Sequence, residues 1–215
     1  MTEKNLTHLH RSPHKQTSDP LIVKEIISRA ILAHVAIVVQ DQPFCIPVAC
    51  APYENELLLH GSTASRLFKV LASGAPACVS ITNIQALVLA ASAFDSSMHY
   101  QSLMAFGSAR VIEGDKKALA LNALTDHLFP ERRQELRESS PKELLATSVL
   151  AFPLDEISVK VSAGIPDLSS DLAASSLWVG VLPISSQYGK ANPVSGLASN
   201  AEVPAYISRW PINRI

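Results

Sequence analysis

The feature of this sequence that most limits its fold is a series of short β-type segments that begins near residue 33. These segments are rich in Val, Ile and other apolar residues and end at turn residues: HVAIVVQ, FCIPVACAP, NELLLH, PACVSIT, ALVLAASAF, LMAFGSARVIE and DEISVKVSA. Single helical segments interrupt the series without regular alternation, which argues against a parallel α/β sheet. We predict a mainly β protein, a small β-barrel of mostly antiparallel strands with peripheral helices.

Four segments have the pattern of helices: SDPLIVKEIISRAI, STASRLFKVLAS, DKKALALNALTDHLF and SPKELLATSVL. Ser18 or Asp19 can cap the first of them, and Gly74 suits the end of the second. In the last, Ser140 is the expected cap, and Glu143 stands where a capping box requires it.

A length of 215 residues suits one domain with an appended tail. We assign residues 1–18 to a flexible N-terminal arm, 19–166 to the barrel domain, and 167–215 to a C-terminal tail that wraps over the barrel or a partner subunit. His8, His10 and His14 lie in the arm, where a solvated segment is favoured over a metal site. We predict no metal centre.

The composition limits the kinds of partner and the location that we expect for this chain. The chain is 47% hydrophobic and 17% charged, with a formal net charge of −1 and no block of five Lys or Arg residues, so we expect no nucleic-acid partner. It has no apolar run of 18 residues and its first residues are polar, so we expect no membrane span, no secretory signal and a cytoplasmic location. The three cysteines form no CxxC pair and are interpreted as buried or half-buried thiols.

One polar cluster follows directly after a predicted strand, in ELLLHGSTASRLFK. Ser62 is expected at or near the cap of the next helix, and Ser65, Arg66 and Lys69 are spaced to share one side of its first turns. Hydroxyl groups and cations at a helix start suit a phosphate dianion. An ordinary capped helix with solvated cations is the alternative from spacing alone. A Ser–His hydrolase is disfavoured, because the GxSxG turn is absent.

A second polar cluster, in ASAFDSSMHYQSLMAFGSARVIE, places an aromatic residue and several hydroxyl groups in a loop before a strand. Such a loop can bind a planar ring by its edges and face. Taken alone, however, a solvated hairpin is the favoured interpretation.

Together, the ordered segments PFCIPVAC, LLLHGSTASR, CVSIT, ALVLAASAF, MHYQS, FGSARVIE and KELLATSVLAFPLDEISVKVSAGIP resemble the FMN-binding split-barrel family related to pyridoxamine 5′-phosphate oxidase. The resemblance covers residues 20–167 and is nearest to the flavin-nucleotide-binding branch that includes the 5-nitroimidazole resistance proteins. The tail segments LWVGVLPISSQYG and VPAYISRW also fit that branch.

The resemblance implies a set of flavin contacts. For the phosphate they are His60, Gly61, Ser62, Ser65, Arg66 and Lys69. For the ring and ribityl chain they are the backbone of Ile46, Pro47 and Val48, the stretch from Val79 to Thr82, and Tyr100 and Ser102.

The resemblance further implies a homodimer with flavin at the subunit interface, FMN in preference to FAD, and oxidoreductase activity on a small molecule. His60 would lie near the chemistry as the catalytic candidate; a hydrogen bond to phosphate or backbone is an equally favoured role for it. The family's other common features are only partly present. Arginines usual in this branch are replaced by Ala91, Gln101 and Ser162, which weakens the case for an anionic substrate.

The RLxP-type C-terminal segment of a true pyridoxamine 5′-phosphate oxidase is also absent, so we do not expect that activity. Two other functions stay open at this point. One is a non-catalytic flavin- or haem-binding carrier or sensor on the same barrel, for which no axial histidine stands out. The other is a structural dimer whose flavin site has decayed.

Overall fold

The structure, a computed structural model, describes residues 6–165, 177–197, 201–212 and 214. Within them the strands are β1 Gln16–Thr17, β2 Leu32–Val39, β3 Gln42–Tyr53, β4 Glu56–Ser62, β5 Pro76–Leu89, β6 Ser97–Ser108, β7 Arg110–Val111, β8 Thr147–Pro153, β9 Glu156–Ser162 and β10 Gly180–Pro183. The helices are α1 Pro20–Arg29, α2 Arg66–Ala72, α3 Asp115–Leu128 and α4 Pro141–Ala146. Short 3₁₀ turns occupy Pro13–Lys15, Arg132–Glu135 and Ala205–Arg209.

All recorded strand pairs are antiparallel, in the order β1-β9-β6-β5-β2-β3-β4-β8-β7, with β10 added beside the far end of β5. Four of the nine recorded pairs join strands that are consecutive in sequence, namely β2–β3, β3–β4, β5–β6 and β7–β8, and the other five join strands further apart in the chain. This arrangement confirms the predicted class, a mainly β split barrel of mostly antiparallel strands with helices around it.

The core lies on both sides of β4. Leu57 and Leu59 belong to the larger cluster, which also includes residues of α1 and α2, whereas Leu58 packs in a second cluster with Ala120 and Leu124 of α3. Successive side chains of a strand point to opposite faces. A strand covered on both faces therefore has to be apolar at every position, which explains the uninterrupted leucines of this segment.

The helix starts follow the predicted capping. The Asp19 carboxylate accepts a hydrogen bond from the Leu21 N–H, and Pro20 occupies the first turn of α1. At α4, the side chains of Ser140 and Glu143 form the expected capping box. Local chemistry therefore defines both starts.

Two predicted segments differ in the structure. PACVSIT and ALVLAASAF join into the single strand β5, with a bulge between Ile84 and Ala86. Most of the second polar cluster lies within β6 rather than in a loop, because β6 pairs with β5 from Ser97 to Ser108 and with β9 from Tyr100 to Phe106. Pairing with these strands thus outweighs the loop-like composition.

The two ends of the chain contact the barrel. In the predicted flexible arm, Gln16 and Thr17 form β1 and pair with β9, so this part of the arm is ordered by backbone hydrogen bonds. In the predicted tail, β10 pairs with β5, and residues 205–209 form a short turn against residues 130–135. Residues 167–176, 198–200, 213 and 215 of the predicted tail, and residue 166 of the predicted barrel domain, lie outside the described residues. No helix in the described part of the chain is long and apolar enough to cross a membrane.

Candidate functional site

The central feature of the candidate site is a split between β3 and β4. These strands pair only from Cys50 with Leu59 to Tyr53 with Glu56. Beyond this point β4 continues against β8, and residues 42–49 of β3 pair only with β2. The other edge of β3 therefore has no strand partner among the described residues.

The chemistry of this open edge follows from the β2–β3 register. The Cys50 N–H donates to the Ile31 carbonyl, and hydrogen-bonded pairs alternate along an antiparallel ladder. The N–H and C=O groups of Cys45 and Ala49, and the C=O of Pro47, consequently point away from β2. Proline lacks an N–H, so Pro47 removes one donor from the open edge without breaking the ladder to β2. From Cys45 to Ala49, the open edge therefore presents three carbonyl acceptors and two N–H donors.

The end of β4 lines the opposite side of the split. Its residues His60, Gly61 and Ser62 pair with β8. A Cβ atom at Gly61 would lie within 2.7 Å of three ring carbons of Phe68, a buried residue of α2. Only glycine allows α2 to pack this closely against the strand.

The helix after β4 starts later than predicted. Ser62 is the last residue of β4, where its hydroxyl accepts from the Ala64 N–H, and Ser65 takes the cap position of α2. The expectation that Ser62 stands at the helix cap is corrected, because the backbone stays extended to pair with β8 as far as Thr147. Both serines still lie between the strand end and the cations.

The cations of this segment are Arg66 and Lys69, both exposed and one turn apart on α2. The Arg66 guanidinium lies over the Phe44 ring, with Cζ 4.0 Å from the ring centroid. Neither cation forms an ion pair with a carboxylate in the described part of the chain. Because α2 has only seven residues, these side chains, rather than its dipole, supply the positive charge.

His60 is the titratable group at the strand end. Burial lowers the pKa of its imidazole below the ordinary value, so the ring is neutral at pH 7. Its Nδ1 atom is buried and has no hydrogen-bond partner in the described structure. An unsatisfied ring nitrogen beside an open backbone edge indicates a position where a bound molecule can supply the partner.

The other predicted contacts lie further along the sheet. Cross-strand partners share a face, so the register places Pro47, His34, Ser80 and Met104 in one row, which we call the outer face. Thr82, Ser102 and Tyr100 also lie on it. β6 is three strand spacings from β3, or about 14 Å. One chain therefore does not bring Tyr100 and Ser102 next to the split.

The remaining predicted residues divide by the pleat of their strands. Ile46 and Val48 pack their side chains towards the core, and their backbone polar groups point to β2. Of the three predicted β3 contacts, only Pro47 therefore offers a backbone group, its carbonyl, to a ligand at the open edge; the expected backbone contacts of Ile46 and Val48 are corrected. Val79 is fully buried in the core, and its side chain is likewise turned away from the outer face.

Sequence reasoning missed Phe44, Lys160 and Lys15. Lys160 lies opposite Ser102 with Nζ 5.4 Å from the Tyr100 ring centroid, and Lys15 donates to the Ser162 hydroxyl over 3.2 Å. The alternation of DEISVKVSA could have indicated that Lys160 faces outwards. Nothing local predicts Lys15, which reaches the site through the β1–β9 pair.

The structure also shows the surroundings of the three positions that lack an arginine usual in the resembled branch. Ala91 is exposed between β5 and β6. Gln101 is buried, and its amide donates to Glu25 of α1 over 3.4 Å. Ser162 is buried beside Lys15, so a lysine from the arm brings a positive charge near a position where an arginine is usual. Within the described ranges no three His, Cys, Asp or Glu side chains are grouped as metal ligands would be.

Comparison with known proteins adds to this geometry. The sequence model of the pyridoxamine 5′-phosphate oxidase family matches residues 21–161. No curated protein sequence matches the chain significantly.

Among solved structures, one similar to this chain is the FAD and haem binding protein from Mycobacterium smegmatis, with 38% identity and a TM-score of 0.86 over 91% of this chain and 96% of that one. Another is the flavocytochrome Anf3 from Azotobacter vinelandii, with 30% identity and a TM-score of 0.87 over 95% and 96% of the two chains. A structure from Bacteroides thetaiotaomicron described as a 5-nitroimidazole antibiotic resistance protein shares the fold, with 21% identity and a TM-score of 0.58 over 68% and 86%.

Proposed function

Since this chain belongs to the pyridoxamine 5′-phosphate oxidase family, we propose that it binds a flavin nucleotide at the split between β3 and β4. The flavin would serve two-electron redox chemistry on a small molecule. The observation that carries the proposal is the open backbone edge of β3, which faces the strand end and helix start bearing His60 and Arg66. Two relatives at 38% and 30% identity, whose names include FAD and flavocytochrome, support a flavin.

The phosphate end of the flavin would lie at the start of α2. Arg66 and Lys69 supply positive charge that no described carboxylate neutralises, and Ser62 and Ser65 supply hydroxyl donors. Gly61 keeps the strand end free of a side chain on the side that packs against Phe68. These groups fit a phosphate ester better than a neutral ligand.

The ring of the flavin would lie along β3. The edge of an isoalloxazine carries both donors and acceptors, and the open edge offers N–H groups at Cys45 and Ala49 and a carbonyl at Pro47. When bound, the flavin would supply two-electron (hydride) transfer, a reaction that protein side chains do not carry out. The protein's part is to orient the ring, exclude water along the apolar strand, and hold a proton at His60, which is neutral at pH 7.

The second polar cluster would serve a flavin bound to a second copy of the chain. Thr82, Tyr100, Ser102 and Lys160 are too far from the split of their own subunit to complete its site. The outer face also exposes large apolar side chains: Leu87 and Met98, directly opposite each other, Leu182 beside them, and Met104 further along β6. We therefore propose a homodimer formed through the outer face.

A second candidate is an electron-transfer protein that holds both a flavin and a haem. Its basis is that haem or cytochrome is part of the names of both relatives at 30% identity or more. A haem iron requires an axial ligand, most simply an imidazole. His34 is exposed on the outer face and His60 has an unpartnered nitrogen, so these two residues are the candidates on this part of the molecule.

Titration of the purified apoprotein with FMN and with FAD, followed by flavin fluorescence, tests the proposal and separates the two cofactors. We expect saturable binding of one flavin per chain. Arg66→Met should raise the dissociation constant roughly 10- to 100-fold, because about 1.5–3 kcal/mol is expected for a hydrogen bond to a charged group. Lys116→Met removes an exposed charge from α3 and serves as the matched control.

Binding of neither flavin would refute the proposal, and equal losses in both variants would place the phosphate elsewhere. Steady oxidation of NADH or NADPH by the loaded protein would favour the oxidoreductase. Flavin and haem binding without such turnover would favour the electron-transfer protein.

A further inference from the structure

We infer that Arg214, near the end of the C-terminal tail, is a positioning residue for the split. It would hold the point at which β3 separates from β4, called here the fork and formed by Cys50 and Leu59. The inference rests on the proposed function, because the open edge that begins at the fork is the proposed flavin contact.

Arg214 is an unusual residue for its position in the chain, since its side chain is only 5% exposed. Its Nη2 donates to the backbone carbonyl of His127 over 2.7 Å. His127 lies in the last turn of α3, where carbonyl groups lack partners within the helix. A cation there satisfies one carbonyl and opposes the negative end of the helix dipole.

His127 continues the connection to the barrel. Its Nε2 lies 2.7 Å from the Ala30 carbonyl, which can only accept, so Nε2 carries the proton. That nitrogen cannot also accept from Arg214, although the two nitrogens are 3.0 Å apart, and Arg214 is therefore bound through the carbonyl. Ala30 ends α1, and the next carbonyl, of Ile31, accepts from the Cys50 N–H over 3.2 Å.

Arg214 thus holds the end of α3, and His127 joins that end to the end of α1, directly before the β2–β3 hydrogen bond at the fork. Cys50, at the fork, is fully buried, with 0% accessible surface. Burial raises the pKa of its thiol to about 12, and the nearby positive charge of Arg214 opposes this effect. The positive charge of Arg214 therefore interacts electrostatically with Cys50 at the fork.

Stability alone does not account for this arginine. Its Nη1 is buried without a hydrogen-bond partner, and it has no carboxylate partner, within the described residues. A buried cation without a counter-charge costs free energy that an apolar side chain of similar size would not. Other tail residues already hold the tail near α3, among them Arg209 with Glu131, and Trp210 with the Pro130 carbonyl.

Arg214→Met in the full-length protein tests the inference, with Arg209→Met as the matched control, since Arg209 is exposed and belongs to the same tail. Two readouts are taken: amide hydrogen exchange of the flavin-free protein, and the dissociation constant for FMN and FAD. We expect faster exchange in residues 44–50 and at the end of α3 for Arg214→Met. Its flavin dissociation constant should rise about tenfold or more, as expected for a loosened site. The control should change by less than about twofold.

Unchanged exchange in residues 44–50, or unchanged flavin affinity in a wild type that binds flavin, would overturn the inference. A merely structural role would instead raise exchange throughout the chain and lower the Tm. If Arg214→Met does not fold, Arg214→Lys retains the charge with a different donor geometry and is measured in the same way. If the wild type binds neither flavin, the proposed function fails, and the exchange measurement still decides whether Arg214 holds the fork.

Discussion

Single residues at the split show how closely the backbone and side chains constrain one another. Gly61 is required by the ring of Phe68, which is 5% exposed and surrounded by core residues. Pro47 is compatible with β3 only because its missing N–H would point away from β2. Each residue suits a strand that is approached closely on one side.

Gly61→Ala is expected to destabilise the protein by about 1–3 kcal/mol, because the added methyl group overlaps a ring that cannot move freely. The midpoint of urea unfolding measures this change. Gly189→Ala is the matched control, since a Cβ at Gly189 meets no atom within 4 Å. Equal stability of the two variants would show that α2 can shift away from β4.

Cys45 offers a second test at the residue scale. It is exposed on the open-edge strand, whereas Cys50 is buried and Cys78 is half-buried with a pKa raised by burial. We expect one thiol per chain to react rapidly with a maleimide, and bound flavin to slow that reaction. Cys45→Ser should abolish the rapid phase. Rapid labelling that flavin does not alter would argue against a ligand along β3.

At the scale of elements, α1 and α3 are joined by His127, which donates to the Ala30 carbonyl that ends α1. Burial, with a smaller contribution from the charge of Arg214, lowers the pKa of this imidazole below its ordinary value of 6.5. The hydrogen bond to Ala30 acts in the opposite direction but does not reverse the shift. The native protein therefore binds a proton at this residue less readily than the unfolded chain.

This difference predicts a pH dependence of stability. The unfolded state binds more protons than the native state between the lowered pKa and 6.5, so stability should fall as pH decreases through that window. His127→Gln can still donate to Ala30 but does not titrate. The drop in urea midpoint from pH 7.5 to pH 5 should therefore be smaller in this variant. An equal drop in wild type and variant would show that His127 is not responsible.

The elements also show which parts of the fold can be predicted from the sequence. The capping box at Ser140 depends on local chemistry within four residues, so the sequence alone predicts it. The polar cluster from His60 to Lys69 is contiguous, so its composition could be interpreted before its geometry was known. The start of α2 was misplaced, because the pairing of Ser62 with Thr147 involves a strand distant in sequence.

At the scale of the whole molecule, the arrangement of the outer face could not be derived from one segment. The separation of Tyr100 and Ser102 from β3 depends on the order of β2, β5 and β6 in the sheet. The contact between Arg214 and His127 joins positions that share no periodic pattern. The sequence predicts the strands, the helices and the residue types of the candidate site. The order of strands distant in sequence decides which of these residues lie close together.

The outer face predicts the quaternary structure. Met104→Glu places a charge in the middle of this face, where Met104 is 41% exposed, and should convert a dimer into a monomer. Leu119→Glu is the control, because Leu119 is 62% exposed but lies on α3. Sedimentation velocity measures both. A dimer that tolerates Met104→Glu would move the interface to another surface.

A flavin bound at the split between β3 and β4 would give this protein a visible absorption spectrum. The most direct test is the visible absorption spectrum of the purified protein, loaded with flavin if necessary, followed by mass spectrometry of what acid releases. We predict the bands of oxidised flavin, with FMN or FAD in the released fraction, and weaker bands in Arg66→Met at the same limiting flavin concentration. A colourless wild type that takes up neither flavin would contradict the account.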